Sequence, residues 1–111
     1  MDHLALEAAH EQLLAGDPGA PSKIVRLVLP ALCAFVESAV PAILDHQVVE
    51  EACLDALLSY LVNPEAFDPS KAKLFTWLAG NARWRALTKL RGVKRRDRRE
   101  NIVIQRVQDE A

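Results

Sequence analysis

Apolar positions between residues 46 and 62 recur at i, i+3, i+4 and i+7: Val49, Ala52, Cys53, Ala56, Leu57, Tyr60 and Leu61. At 3.6 residues per turn these fall on one stripe, so the pattern predicts a helix with one buried side. Asp45 stands where an N-cap belongs, and Asn63-Pro64 ends the run because a residue before proline avoids helical geometry. The same reading predicts a first helix over about 5–15, with Asp2 as cap and Gly16 as stop, then a loop at "GDPGAPS". Ser22 is positioned to cap a second helical stretch, which Pro30 should kink or divide and Pro41 should end. After the loop "NPEAFDPSKAK", a fourth helix is expected over about 71–91, closed by Gly92, and helix resumes in the tail "KRRDRRENIVIQRVQDE". The expected fold is all-α, a compact bundle of four or five helices spanning residues 1–96, with 97–111 a charged tail or the start of a linker.

Composition agrees with a single domain. The 111 residues are 50% hydrophobic and 26% charged, with only four glycines, which favours helices over strands and turns. The net charge of −1 conceals a polarity. Residues 1–60 hold nine acids against Lys23 and Arg26, a net of −7; residues 83–111 hold ten cations against four acids, a net of +6. Such asymmetry points to two partners of opposite character, one a polyanion. Cys33 and Cys53 sit in apolar runs and read as small core residues in a reducing compartment. The N-terminus has no signal-peptide pattern, and the most apolar run is interrupted by Arg26, Glu37 and two prolines. A cytoplasmic location is therefore expected.

The segment "FTWLAGNARWRALTKLRGVKRRDRR" carries both tryptophans and nine of the fourteen cations. On a helical wheel Phe75, Leu78, Ala79, Ala82, Ala86 and Leu90 form the side expected to pack on the bundle. Trp77 and Trp84, seven apart, share a stripe away from that side. Indoles among cations on an exposed face suit a nucleic acid with unstacked bases, the ring taking a base while Lys and Arg neutralise phosphates. The competing reading tucks one or both indoles against a neighbouring helix.

On the helix of residues 46–62, Gln47, Glu50, Glu51, Leu54 and Leu58 line the side opposite the core. Leucines on an otherwise acidic face suggest a protein-docking surface. Catalytic chemistry is hard to find. His3, His10 and His46 have no partners at metal-ligand spacing, and no phosphate loop or nucleophile motif occurs. The chain is read as a binding protein, not an enzyme, without cofactor or metal.

These elements in this order resemble the second conserved region of bacterial RNA polymerase sigma factors, closest to the extracytoplasmic-function type. The residues that carry the resemblance lie between about Lys23 and Arg96. They are Pro30 in the first core helix, Glu50-Glu51, Phe67-Asp68-Pro69 within "FDPSKAKLFTWL", Trp77-Leu78 and Ala82-Arg83. The resemblance implies that the helix of residues 46–62 docks on the clamp helices of the polymerase largest subunit through Gln47, Glu50, Glu51, Leu54 and Leu58. The family has Asp, then Gln-Glu, at the positions of Gln47, Glu50 and Glu51, so only the last acid is retained. It also implies that the fourth helix and the loop before it capture the non-template strand of the minus-ten promoter element. Trp77 falls where a base-stacking tyrosine stands in housekeeping members, and Gly80-Asn81 replace their duplex-opening tryptophan pair. Trp84 replaces a Gln or Asn that can read a base edge, whereas an indole stacks or donates once. Asp68, Ser70, Lys71 and Lys73 match the loop that cradles a flipped base.

The expected DNA-binding set is thus Asp68, Ser70, Lys71, Lys73, Trp77, Asn81, Arg83, Trp84, Arg85, Thr88, Lys89, Arg91, Lys94, Arg95 and Arg96. The expected partners are core RNA polymerase, single-stranded promoter DNA and an anti-sigma factor. Sigma factors continue into a helix-turn-helix domain that reads the minus-thirty-five element, whereas residue 111 follows "VQDE" directly, as in a linker-cut fragment or a stand-alone protein. The alternatives are a sigma-like decoy or regulator that binds polymerase or an anti-sigma factor without reading promoters, and a general helical single-strand binder.

Overall fold

The computed structural model describes residues 1–40 and 45–110. Its elements are α1 (His3–Leu14), α2 (Ala20–Ala39), α3 (His46–Val62), a 3-10 turn at Pro64–Ala66 and α4 (Leu74–Glu110). The described residues form an all-helical bundle, and no helix among them is long and apolar enough to cross a membrane.

Caps fix most boundaries. The Asp2 carboxylate accepts the Ala5 amide at 3.0 Å, and Gly16, at φ 84°, ends α1 in the left-handed geometry that suits glycine. Asp45 caps α3 through the Gln47 amide at 3.1 Å, so this helix starts and stops where its pattern predicts.

Three expectations are corrected. The cap of α2 is Gly19, not Ser22, which lies inside the helix. Asp17 closes the preceding turn by accepting the Gly19 amide, and Pro21 sits in the first turn, where its missing N–H costs nothing. Pro30 does not divide α2. It lies on the exposed side, where water can satisfy the carbonyl it deprives. Meanwhile Ile24, Val28, Leu32 and Val36, each four residues apart and fully buried, hold both halves to the core. The helix ends at Ala39, with Val40 extended as the residue before a proline must be; Pro41 itself lies outside the described residues. Finally, α4 begins at Leu74 and not at 71, and it runs on through Gly92, where it was expected to close, into the tail. A helical glycine costs about 1 kcal/mol against alanine, which the good helix formers Leu90, Arg91, Lys94, Arg95 and Arg96 around it offset.

The core is one cluster to which every helix contributes, from Leu6 of α1 to Ala86 of α4. The core-facing positions inferred for α3 and α4 are buried, except that Leu61 and Phe75 lie at the margin. Cys33 on α2 and Cys53 on α3 are free thiols. Burial is the main cause that raises both, Cys53 to about 12, so they stay protonated and behave as packing groups. Among the described residues Leu90 is the last buried side chain of α4, and the helix runs some twenty residues, or about 30 Å, past it.

Candidate nucleic-acid interface

The expected DNA-binding residues divide into three groups. The first is the loop before α4. Asp68 accepts the Ser70 amide at 2.9 Å and the Ser70 hydroxyl at 2.7 Å, and Lys71 N–H bonds the Asp68 carbonyl. This side-chain turn is why α4 starts at Leu74 and not at 71. The two bonds from Ser70 hold the Asp68 carboxyl below its ordinary value. Lys71 and Lys73 are exposed beside it.

The second group is the base of α4, where Trp77 follows the competing reading, in which an indole tucks against its neighbours. Its ring is half-buried and packs on the core, with centroids 5.5 Å from Phe67 and 6.1 Å from Tyr60. Phe67 and Tyr60 in turn stack with His10, whose Nδ1 is hydrogen-bonded to the Tyr60 hydroxyl. Helical spacing put Trp77 on the outer stripe correctly. What it missed is that the 63–73 segment folds back and brings Phe67 against that stripe.

The third group is the remainder of α4. Trp84 is 62% exposed, and Arg83, Thr88, Arg91, Arg95 and Arg96 are exposed with it. The Lys94 side chain lies outside the described residues. Trp84, Thr88, Arg91, Arg95 and Arg99 follow at intervals of four, three, four and four, a single stripe some 22 Å long on an α-helix. Beside it, Thr88, Gly92, Arg95, Arg96 and Arg99 surround an open hollow of about 420 Å³, with no side chain at Gly92 to fill it. Arg99 closes the run from Lys94 onward that the sequence places on phosphates. Its place on the stripe follows from the helical period, which becomes usable once Gly92 is read as helix.

Not every cation here is free. Lys89 Nζ lies 3.4 Å from Asp55 and 3.9 Å from Glu51 on α3. Arg85 donates to the Asn81 side chain at 3.2 Å. Lys89 is thus turned toward the acids of α3 and not toward an external phosphate, and Asp55, one turn after Glu51, joins the acidic face.

On that face of α3, Gln47, Glu50 and Glu51 are exposed, Leu54 is half-buried and Leu58 is 58% exposed, with Val62 continuing the apolar line. His46, capping the seam with α2, bonds Glu37 through Nδ1 and lies 3.9 Å from Glu50. The Glu37 bond raises the imidazole above its ordinary value. Among the described residues no three His, Cys, Asp or Glu side chains are placed to hold a metal ion.

Neither a protein-family model nor a curated protein nor a solved structure matches the chain.

Proposed function

We propose that this chain is a sigma-factor-like transcription module that docks on core RNA polymerase through α3 and holds separated promoter DNA along α4. The observation that carries the DNA half is the stripe of exposed Trp84 followed by Arg91, Arg95 and Arg99. An exposed indole is costly to leave in water and useful for stacking, and stacking on a base contributes on the order of 1–3 kcal/mol. Cations at turn spacing behind it neutralise consecutive phosphates. On α3, Leu58 among Glu50, Glu51 and Gln47 supports the polymerase contact, as an apolar anchor inside an acidic rim. The sigma resemblance supplies the identity of both partners.

The mechanism is binding. Polymerase would seat α3, Trp84 would take a base exposed by strand separation, and Arg91, Arg95, Arg96 and Arg99 would hold the backbone. Trp77, packed on Phe67 and Tyr60, would support the loop of Asp68, Ser70, Lys71 and Lys73 and not capture a base itself.

The test is fluorescence anisotropy with a labelled pool of minus-ten-like single strands and a scrambled pool, for wild type, Trp84→Ala and Trp77→Phe. Preference for a subset, lost with Trp84→Ala and kept with Trp77→Phe, supports the reading. Equal weak binding to every strand, unaltered by Trp84→Ala, overturns base capture. A second reading then gains: a sigma-like regulator that binds polymerase or an anti-sigma factor without reading DNA. It is favoured by the inward packing of Trp77, the position where the resemblance expects a stacking residue.

A further inference from the structure

On the α1 side of the bundle a cleft of about 420 Å³ opens between α1 and the Pro64–Ala66 turn. Leu14 and Phe67 give it an apolar lining, and the carboxylates of Glu7, Glu11 and Glu65 stand around it. No Lys or Arg lines the cleft, and among the described residues none of the three carboxylates is in an ion pair. His10 also lines it, 5% exposed; its Nδ1 is taken by Tyr60, and its Nε2 has no hydrogen-bond partner among the described residues. Along α1 the outward positions read Leu4, Glu7, Glu11, Leu14, with the leucines 81% and 50% exposed. From Leu4 to Leu14 that edge is eleven residues, or about 15 Å, long.

We infer that this cleft is a docking groove for a cationic, leucine-anchored helical segment of a partner protein. Three features select that occupant. Unpaired carboxylates on an apolar floor repel a phosphate backbone and attract Lys or Arg. A linear edge with leucines at both ends matches successive turns of a helix, where a small molecule would fill only the middle. The free imidazole nitrogen offers one directional polar contact at the floor. The inference stands apart from the polymerase and DNA reading, because it uses neither the outer face of α3 nor the exposed stripe of α4.

The test uses the full chain, isotope-labelled for backbone amide NMR. The probe is an alanine-based helical peptide with two leucines one turn apart and four flanking lysines. Its counterpart has glutamate at every lysine, and a single-stranded oligonucleotide serves as third titrant. The lysine peptide is expected to shift the amides of Glu7, Glu11, Leu14, Glu65 and Phe67. Its affinity should fall at least fivefold in Glu7→Gln/Glu11→Gln and again in Leu14→Asp, all surface changes that leave the fold intact. Lysine-peptide shifts gathered on Glu50, Glu51 and Asp55 of α3, or scattered over the surface, overturn the proposal. So does a glutamate peptide or oligonucleotide that perturbs the cleft equally well.

Discussion

Trp77 and Trp84 stand two turns apart on one helix and share one stripe, yet the first is packed among aromatics and the second is 62% exposed. The difference arises outside the helix. At Trp77 the chain before α4 has just returned from α3, and it lays Phe67 over the stripe beside Tyr60 and His10. At Trp84, seven residues on, that returning segment has been left behind, and the ring stands exposed. Helical period states where a side chain points, while a neighbouring segment decides whether anything covers it. One end of the stripe is thereby packed into the fold, and the other is left exposed.

The largest expected effect breaks the covered end. Phe67 is buried at the centre of the aromatic group, between His10 and Trp77. Phe67→Ala should destabilise the protein by about 3–5 kcal/mol, as for other buried aromatics truncated to alanine, measured by urea unfolding. A loss under about 1 kcal/mol would mean that the 63–73 segment does not hold the base of α4 in solution.

The two tryptophans then provide the direct contrast. Trp77→Ala should cost about 2–3 kcal/mol of stability, less than Phe67 because the ring is only half-buried. Trp84→Ala should stay within about 0.5 kcal/mol, the range of ordinary surface changes. Its effect belongs to binding, a loss of roughly 5- to 150-fold on single strands if one base stacks there. Acrylamide quenching of Trp77→Phe and Trp84→Phe separates the two indoles optically. Trp84 should quench readily and become protected when an oligonucleotide binds. Equal quenching of both would erase the contrast.

Protonation tests the covered end more gently. Burial holds His10 below the ordinary imidazole value of 6.5, so the folded state favours the neutral ring. As pH falls through 6.5 the unfolded chain takes up the proton first, and stability present above that pH is lost toward the depressed native value. His46 has the opposite sign. Its Glu37 partner raises it, so its contribution is present below 6.5 and lost as pH rises through the raised value. His46 is exposed and screened, so His10 should set the net slope. Urea midpoints at pH 7.5 and 5.5 should show an acid loss in wild type that His10→Gln removes and His46→Gln slightly enlarges.

How much of this was legible in the chain follows the same division. The span of α3 was readable because a cap, a four-three repeat and an Asn-Pro stop all agree at Asp45, Val49 to Tyr60 and Asn63. The core side of α4 was readable for the same reason. Misreadings fell where one local rule met a larger sum. Pro30 lost to a stripe of four buried residues, Gly92 to a run of good helix formers, and Ser22 to the Asp17 turn that starts α2 three residues earlier. Among the candidate site residues, the exposure of Trp84 and the arginines was legible because nothing needs to cover them. The placement of Trp77 and Lys89 was not, since each is set by a side chain remote in sequence: Phe67 and Tyr60 for one, Glu51 and Asp55 for the other. The His10–Tyr60 bond, fifty residues apart, has no local signal.

Lys89 gives the smallest effect and the sharpest division among the cations of α4. Its ammonium lies 3.4 Å from Asp55, with both side chains partly exposed, so Lys89→Ala should lower stability by only about 0.5 kcal/mol. The informative readout is the salt dependence of single-strand binding. A cation that neutralises a phosphate contributes about 0.7 to the logarithmic slope, and Arg95→Ala should flatten the slope by that amount. Lys89→Ala should leave the slope unchanged, because its charge is already spent on α3. If both variants flatten it equally, Lys89 swings from Asp55 to the phosphate when DNA binds. The acids of α3 would then be uncovered by the same event, and the two faces of the molecule would be coupled where they now look independent.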